Sequence, residues 1–181
     1  MLVDNREQVL DPMTAYQITS MMEGVVTRGT AAGKIKLDRP TAGKTGTTND
    51  EKDAWFVGYT PDLVAGLYIG FDSPAPLGRG ATGGSLSAPI FNEFMQAALE
   101  GTRPTKFIVP EGMQFIAVNR KTGMQASEGQ ADTIMEAFKP GTGPADVFSV
   151  IGGEEFASPE EILKNSPQAN QAVTGGSGGL F

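Results

Sequence analysis

The run Gly43-Lys44-Thr45-Gly46-Thr47-Thr48-Asn49-Asp50-Glu51-Lys52-Asp53-Ala54-Trp55-Phe56-Val57-Gly58-Tyr59 decides how the chain folds. Pro40 to Thr48 suits a polar strand, and Asn49 to Asp53 has the composition of a turn. Ala54 to Tyr59 is aromatic and β-branched, which favours a pleated, half-buried surface. Thr60-Pro61-Asp62 reads as a second tight turn and Leu63 to Phe71 as a third strand. That third strand is apolar on both faces, so both are expected to be covered. Short connections between successive strands require an antiparallel meander, because a parallel pair needs a crossover of roughly a dozen residues.

Helices bracket the meander. Asp11 and Thr14 stand where the free N–H groups of a helix start need acceptors, and Pro12 is tolerated in a first turn. Ile18, Met21, Met22, Val25 and Val26 then recur at spacings of three and four, one apolar helical face expected to stop at Arg28-Gly29. Residues 31–39 read as a polar connection. After the meander, Asp72 to Ser85 is a Gly/Pro-rich loop. Ser85 or Ser87 is expected to cap a second helix with Pro89 in its first turn. Ile90, Phe91, Phe94, Met95, Ala98 and Leu99 give it an apolar stripe, and Gly101 ends it. The expected fold class is α+β, an antiparallel sheet flanked by helices.

This unit occupies residues 1–105. Past Pro104, Phe107-Ile108-Val109 and Gln114 to Val118 are short strand candidates, with Lys121-Thr122-Gly123 as a hairpin turn, so residues 106–126 read as a strand and hairpin extension. From 127 to 181 the periodicity fades. Pro159 to Lys164, behind Ser158, suggests one helical turn, and Gly175 to Gly179 is linker-like, so this stretch is expected to be a poorly ordered, flexible tail.

Composition narrows the chemistry. The 181 residues carry a formal charge of −7 and contain no His and no Cys. A Ser-His-Asp triad, imidazole or thiolate metal ligation, disulfides and iron–sulfur clusters are thereby excluded, and neither metal nor cofactor is expected. An acidic chain is a poor nonspecific binder of nucleic acid. The longest apolar run, Leu63 to Phe71, falls far short of the ~20 residues that span a bilayer, and the N-terminus lacks the pattern of a signal peptide. Any chemistry falls to Ser, Thr, Lys, Tyr or carboxylates.

Gly43-Lys44-Thr45 invites comparison with the phosphate loop G-x-x-x-x-G-K-[ST]. The first glycine of that pattern would stand at position 38, which is Asp38, and turn and strand follow instead of helix. The other motif with this core is Lys-Thr-Gly on the strand lining a penicillin-recognising serine site. Its chemistry is coherent. A strand edge offers unpaired N–H groups to a peptide-like substrate. Gly46 leaves room for close approach. Lys44 supplies positive charge for a carboxylate and for proton traffic, Thr45 and Thr47 supply hydroxyls, and the Thr47 N–H is expected to form half of an oxyanion hole, a contact contributing about 3–4 kcal/mol in acyl transfer.

The wider context resembles the class A bifunctional penicillin-binding proteins of Gram-negative bacteria. Arg28-Gly29-Thr30-Ala31, Gly43 to Asp50, Asp53 to Gly66, Thr82-Gly83-Gly84 and Ala88-Pro89-Ile90-Phe91 carry the resemblance in order and spacing, over roughly residues 8–125. It implies a transpeptidase that acylates a serine with the D-Ala-D-Ala end of a peptidoglycan stem peptide and is trapped by β-lactams. It also implies a parent protein on the periplasmic side of the inner membrane, anchored by an upstream segment and carrying a glycosyltransferase domain. Lys44, Thr45, Gly46 and Thr47 would bind substrate, with Lys44 and the Thr47 N–H serving catalysis.

That family pairs Lys-Thr-Gly with Ser-x-x-Lys and Ser-x-Asn. Ser20, Ser73, Ser85, Ser87, Ser127, Ser149, Ser158, Ser166 and Ser177 all lack Lys three residues on and Asn two residues on. The nucleophile is therefore expected outside this chain, which reads as the C-terminal portion of a transpeptidase domain, inactive by itself and poorly soluble where its apolar faces lack partners. A β-lactamase-like hydrolase fragment shares the motif, and a noncatalytic segment docking a regulator through the tail is the reading from another class.

Overall fold

The computed structural model describes residues 7–127 and 129–144 of the chain. Helix α1 spans Pro12–Thr27, strands β1, β2 and β3 span Ala42–Thr47, Asp53–Tyr59 and Val64–Gly70, and helix α2 spans Ala88–Ala98. Strands β4, Gln114–Asn119, and β5, Thr133–Phe138, form a separate two-stranded ladder. The first sheet has the order β1-β2-β3 with both pairs antiparallel, so the α+β expectation and the meander both hold.

Local chemistry accounts for the boundaries. Asp11 caps α1 by accepting from the Thr14 N–H and hydroxyl, with Pro12 just inside the helix. The helix stops at Arg28, whose N–H still reaches the Gly24 carbonyl. Thr82, rather than Ser85 or Ser87, starts the second helical run. Its hydroxyl and that of Ser85 serve each other's backbone N–H groups, a capping box on a five-residue π-helical turn, Gly83–Ser87, that leads into α2. Ser87 is buried instead and donates to the Ala54 carbonyl at 2.9 Å.

The core lies between β2, α2 and the connection after α1. Phe56 and Phe91 pack with ring centroids 4.7 Å apart, joined by Ala31, Ile35, Ala88, Met95 and Leu99. Burying a phenylalanine side chain contributes about 1.5–3 kcal/mol. Gly43 and Gly58 face each other across the β1–β2 ladder and clear the slot for these rings. A Cβ at Gly43 would sit 2.6 Å from Phe56 Cζ, and one at Gly58 would sit 2.8 Å from Phe91 Cζ.

Several expectations change. The stretch 31–39 is part of the core, since Ala31 and Ile35 are buried and Arg39 is locked between the Asp38 carboxylate and the Thr102 hydroxyl and carbonyl. Strand β3 is covered on one face only: on the other, Val64 and Tyr68 are exposed together with Trp55 and Val57, and among the described residues β3 lies at the sheet edge. On α1, Thr19 and Gly24 are buried while Ile18 and Met21 are exposed. Phe91 and Met95 of α2 and its C-cap Leu99 face the core while Ile90 and Phe94 do not. Phe107-Ile108-Val109 is not a strand. Phe107 packs edge-on against Tyr59 and Ile108 points outward.

The extension also runs further than residue 126. β5 pairs with β4 from Gln114↔Phe138 to Asn119↔Thr133, inside the stretch read as tail. The rest of that stretch, including Pro159 to Lys164 and the glycine-rich end, lies outside the described residues.

Candidate active site

Strand β1 is the outer strand of its sheet, and among the described residues no strand pairs with its free edge. The Thr48 N–H donates to the Asp53 carbonyl at 3.1 Å, so hydrogen-bonded pairing alternates back along β1 through Gly46 and Lys44. The intervening residues, Thr45 and Thr47, thus turn their N–H and C=O groups outward to the free edge. The Lys44 ammonium folds over this edge, donating to the Thr45 carbonyl at 2.9 Å and lying 3.4 Å from the Thr45 hydroxyl. Lys44 and Thr47 are exposed, and Lys44 forms no ion pair among the described residues. All four sequence-predicted site residues, Lys44, Thr45, Gly46 and Thr47, therefore lie on one accessible edge.

Neighbouring elements hold this edge. The Thr45 and Thr30 hydroxyls share a hydrogen bond of 2.8 Å, which ties the strand to the segment after α1. The Thr47 hydroxyl accepts from the Gly83 N–H at 3.1 Å. On the sheet's exposed face, Trp55 lies beside Gly46: a Cβ there would be 3.2 Å from Trp55 Cβ. Trp55 in turn packs on Tyr68 at 4.6 Å between centroids. The Tyr68 hydroxyl donates to Asp53 at 2.9 Å, and this bond to a carboxylate raises the phenol pKa above its ordinary 10.

The β1–β2 turn is more constrained than its composition suggests. Asp50 and Glu51 both adopt left-handed backbone, φ 60° and 54°. Both Glu51 carboxylate oxygens accept from the Gly80 N–H at 2.9 Å, and the Leu77 N–H donates to the Glu51 carbonyl, which fastens the Gly/Pro-rich loop to the end of β1. Thr30 was legible at the helix end, near the groove mouth and within the Arg28-Gly29-Thr30-Ala31 run, and Glu51 only as a member of the turn cluster; neither signal marked their bonds to Thr45 and Gly80.

A second Lys-Thr-Gly, at 121–123, shows that the triplet alone makes no such edge. There the Asn119 side-chain oxygen accepts from the Lys121 and Thr122 N–H groups, and Gly123 has φ 72°, a turn without a free strand.

Lys-Thr-Gly-Thr on an open antiparallel edge, with a helix packed behind the sheet, is the arrangement of penicillin-recognising serine enzymes. The sequence model of the penicillin binding protein transpeptidase domain matches residues 3–96, and the chain belongs to that family. Its relatives include penicillin-binding protein 1A of Rickettsia bellii, 48% identical over 136 residues that make up 75% of this chain and 17% of the relative. Penicillin-binding protein 1A of Neisseria gonorrhoeae is 47% identical over 110 residues, 60% of this chain and 14% of the relative. The crystal structure of penicillin-binding protein 1A from Haemophilus influenzae superposes with a TM-score of 0.64 at 30% identity, over 76% of this chain and 22% of that one. The chain thus spans about a sixth of the length of the curated relatives it matches.

No helix among the described residues is long and apolar enough to cross a membrane. Among them, no group of three or more acidic side chains is placed to hold a metal ion.

Proposed function

We propose that this chain supplies the carboxylate-reading edge of a serine transpeptidase that cross-links peptidoglycan stem peptides in the periplasm, and that the acylated serine comes from outside this sequence. The outward N–H groups of Thr45 and Thr47 beside the Lys44 ammonium carry this reading. An extended peptide ending in D-Ala-D-Ala adds to β1 as a further strand, its backbone pairing with that edge. Its terminal carboxylate meets the Lys44 ammonium and the Thr45 and Thr47 hydroxyls, in charge-assisted bonds stronger than neutral ones. The carbonyl under attack then lies near the Thr47 N–H, which stabilises the oxyanion as the serine adds and D-alanine leaves. β-Lactams, with a carboxylate beside a strained amide, occupy the same edge. Family membership and the 1A-type relatives support a synthase over a hydrolase. In the parent protein this domain accompanies a glycosyltransferase and a membrane anchor.

The test is an NMR titration of the chain with N-acetyl-D-alanyl-D-alanine. The Thr45, Gly46 and Thr47 amide signals shift in the wild type and stay still in Lys44→Met. A fluorescent penicillin leaves no covalent label. Labelled protein would place the nucleophile within this sequence, and unmoved β1 amides would end the carboxylate reading.

A further inference from the structure

The hairpin β4–β5 lies beyond residues 3–96, the span of the family's domain model, yet it grips α1 along its length. At the start of α1, the Lys139 ammonium reaches the Asp11 carboxylate at 2.9 Å and the Thr14 hydroxyl at 2.7 Å. Midway, the Gln17 amide donates to the Ala137 carbonyl at 3.1 Å, and Tyr16 meets Phe115 edge-on at 6.2 Å. At the end of α1, Arg28 pairs with Glu136.

The last contact differs from the first two in where it leads. The Arg28 guanidinium lies back along the helix against Gly24, where a Cβ would fall 2.7 Å from Arg28 Cζ. Any side chain at 24 would displace the arginine, so the helix has a cleared seat for it. The pair is partly withdrawn from water, with side chains 35% and 17% exposed. The Arg28 N–H also closes α1 on the Gly24 carbonyl. Two residues on, the Thr30 hydroxyl bonds to the Thr45 hydroxyl, the Ala31 N–H returns to the Val25 carbonyl, and the Thr30 carbonyl lies 2.6 Å from where a Gly84 Cβ would stand. A path therefore runs from Glu136 to Arg28, along the backbone of residues 28–30, and from Thr30 to Thr45.

We propose that Glu136 is a positioning residue for the Lys-Thr-Gly strand. Held by Glu136, Arg28 fixes the chain as it leaves α1, and Thr30 is set to direct the Thr45 hydroxyl. With Thr30 donating to Thr45, the Thr45 proton is free to be given to a substrate carboxylate. The inference rests on the reading of β1 as a carboxylate-binding edge, and it makes the C-terminal hairpin a working part of the site.

The test compares N-acetyl-D-alanyl-D-alanine with its C-terminal amide, titrated into the full chain and followed at the β1 amides. In Glu136→Gln the preference for the free acid falls about tenfold, as loss of a charge-assisted contact implies. Glu136→Asp, which keeps the charge, retains most of it. Lys121→Gln, which breaks the Lys121–Asp132 pair elsewhere on the hairpin, leaves it unchanged. A residue that only stabilises the fold would lower the unfolding midpoint without touching the acid-to-amide ratio, and an unchanged ratio in Glu136→Gln overturns the proposal. Should that variant not fold, Arg28→Gln serves in the same comparison. If the wild type itself shows no preference for the acid, the carboxylate reading fails. The positioning link is then decided by hydrogen exchange at the Ala31 and Thr45 amides: faster exchange in Glu136→Gln supports it, and equal rates reject it.

Discussion

The backbone of Gly83 lies against that of Gly46, so close that a Cβ on Gly83 would come within 2.6 Å of the Gly46 carbonyl oxygen and 2.2 Å of the Trp55 carbonyl oxygen. Both obstacles are backbone and cannot rotate away. Gly83→Ala is therefore expected to lift the π-helical turn from the sheet and to cost about 1–3 kcal/mol, the usual penalty of overpacking. Gly66→Ala is the control, because its Cβ would make an ordinary 3.7 Å contact with Val57. Urea unfolding of the two variants measures the difference.

Phe91 and Phe94 sit on the same helix, one buried and the other exposed. Phe91→Ala empties the space against Phe56 and is expected to destabilise by about 3–5 kcal/mol, whereas Phe94→Ala stays within about 0.5 kcal/mol. Equal effects in thermal or urea unfolding would place the core on the wrong face of α2.

Asp11 carries a pH dependence. The Lys139 hydrogen bond, followed by those from Thr14, lowers its pKa from 3.8 to about 2. The folded state thus favours the ionised form, and the associated stability is present above pH 3.8 and lost as pH falls through about 2. An NMR titration of the Asp11 carboxyl should move toward the ordinary value in Lys139→Met. The same low titration point in that variant would mean that the hairpin contact is not the cause.

Among the described residues, strand β3 ends its sheet without charge, proline or bulge, and Val64, Tyr68, Trp55 and Val57 form an exposed apolar face. Edges of this kind template association. The chain is expected to self-associate as concentration rises, and Val64→Lys to suppress this while leaving β1 intact. Sedimentation velocity at several concentrations checks it, and a strictly monomeric wild type refutes it.

The order of elements and the site strand were legible because their signals are local. Asp11-Pro12 and the spacing along α2 set helix positions, and Lys-Thr-Gly-Thr followed by a turn cluster marked an edge strand. What escaped is non-local. β5 mixes Glu136 with Met135 and Ile134 and has no clear alternation, and its partner β4 defines it. Arg28 carries a helix-end signature, but its counter-charge lies 108 residues away in sequence. The exposure of Val64 and Tyr68 depends on what packs over that face of the sheet, which no periodicity within β3 records.

The chain has a single tryptophan, Trp55, and the structure seats it against the backbone of Gly46, with Tyr68 at its side. Excited at the long-wavelength edge, where its three tyrosines absorb little, this protein consequently emits from one source, on β2 beside the Lys-Thr-Gly strand. Ligand arrival there can be followed as a change in glow from the native polypeptide, with no dye attached.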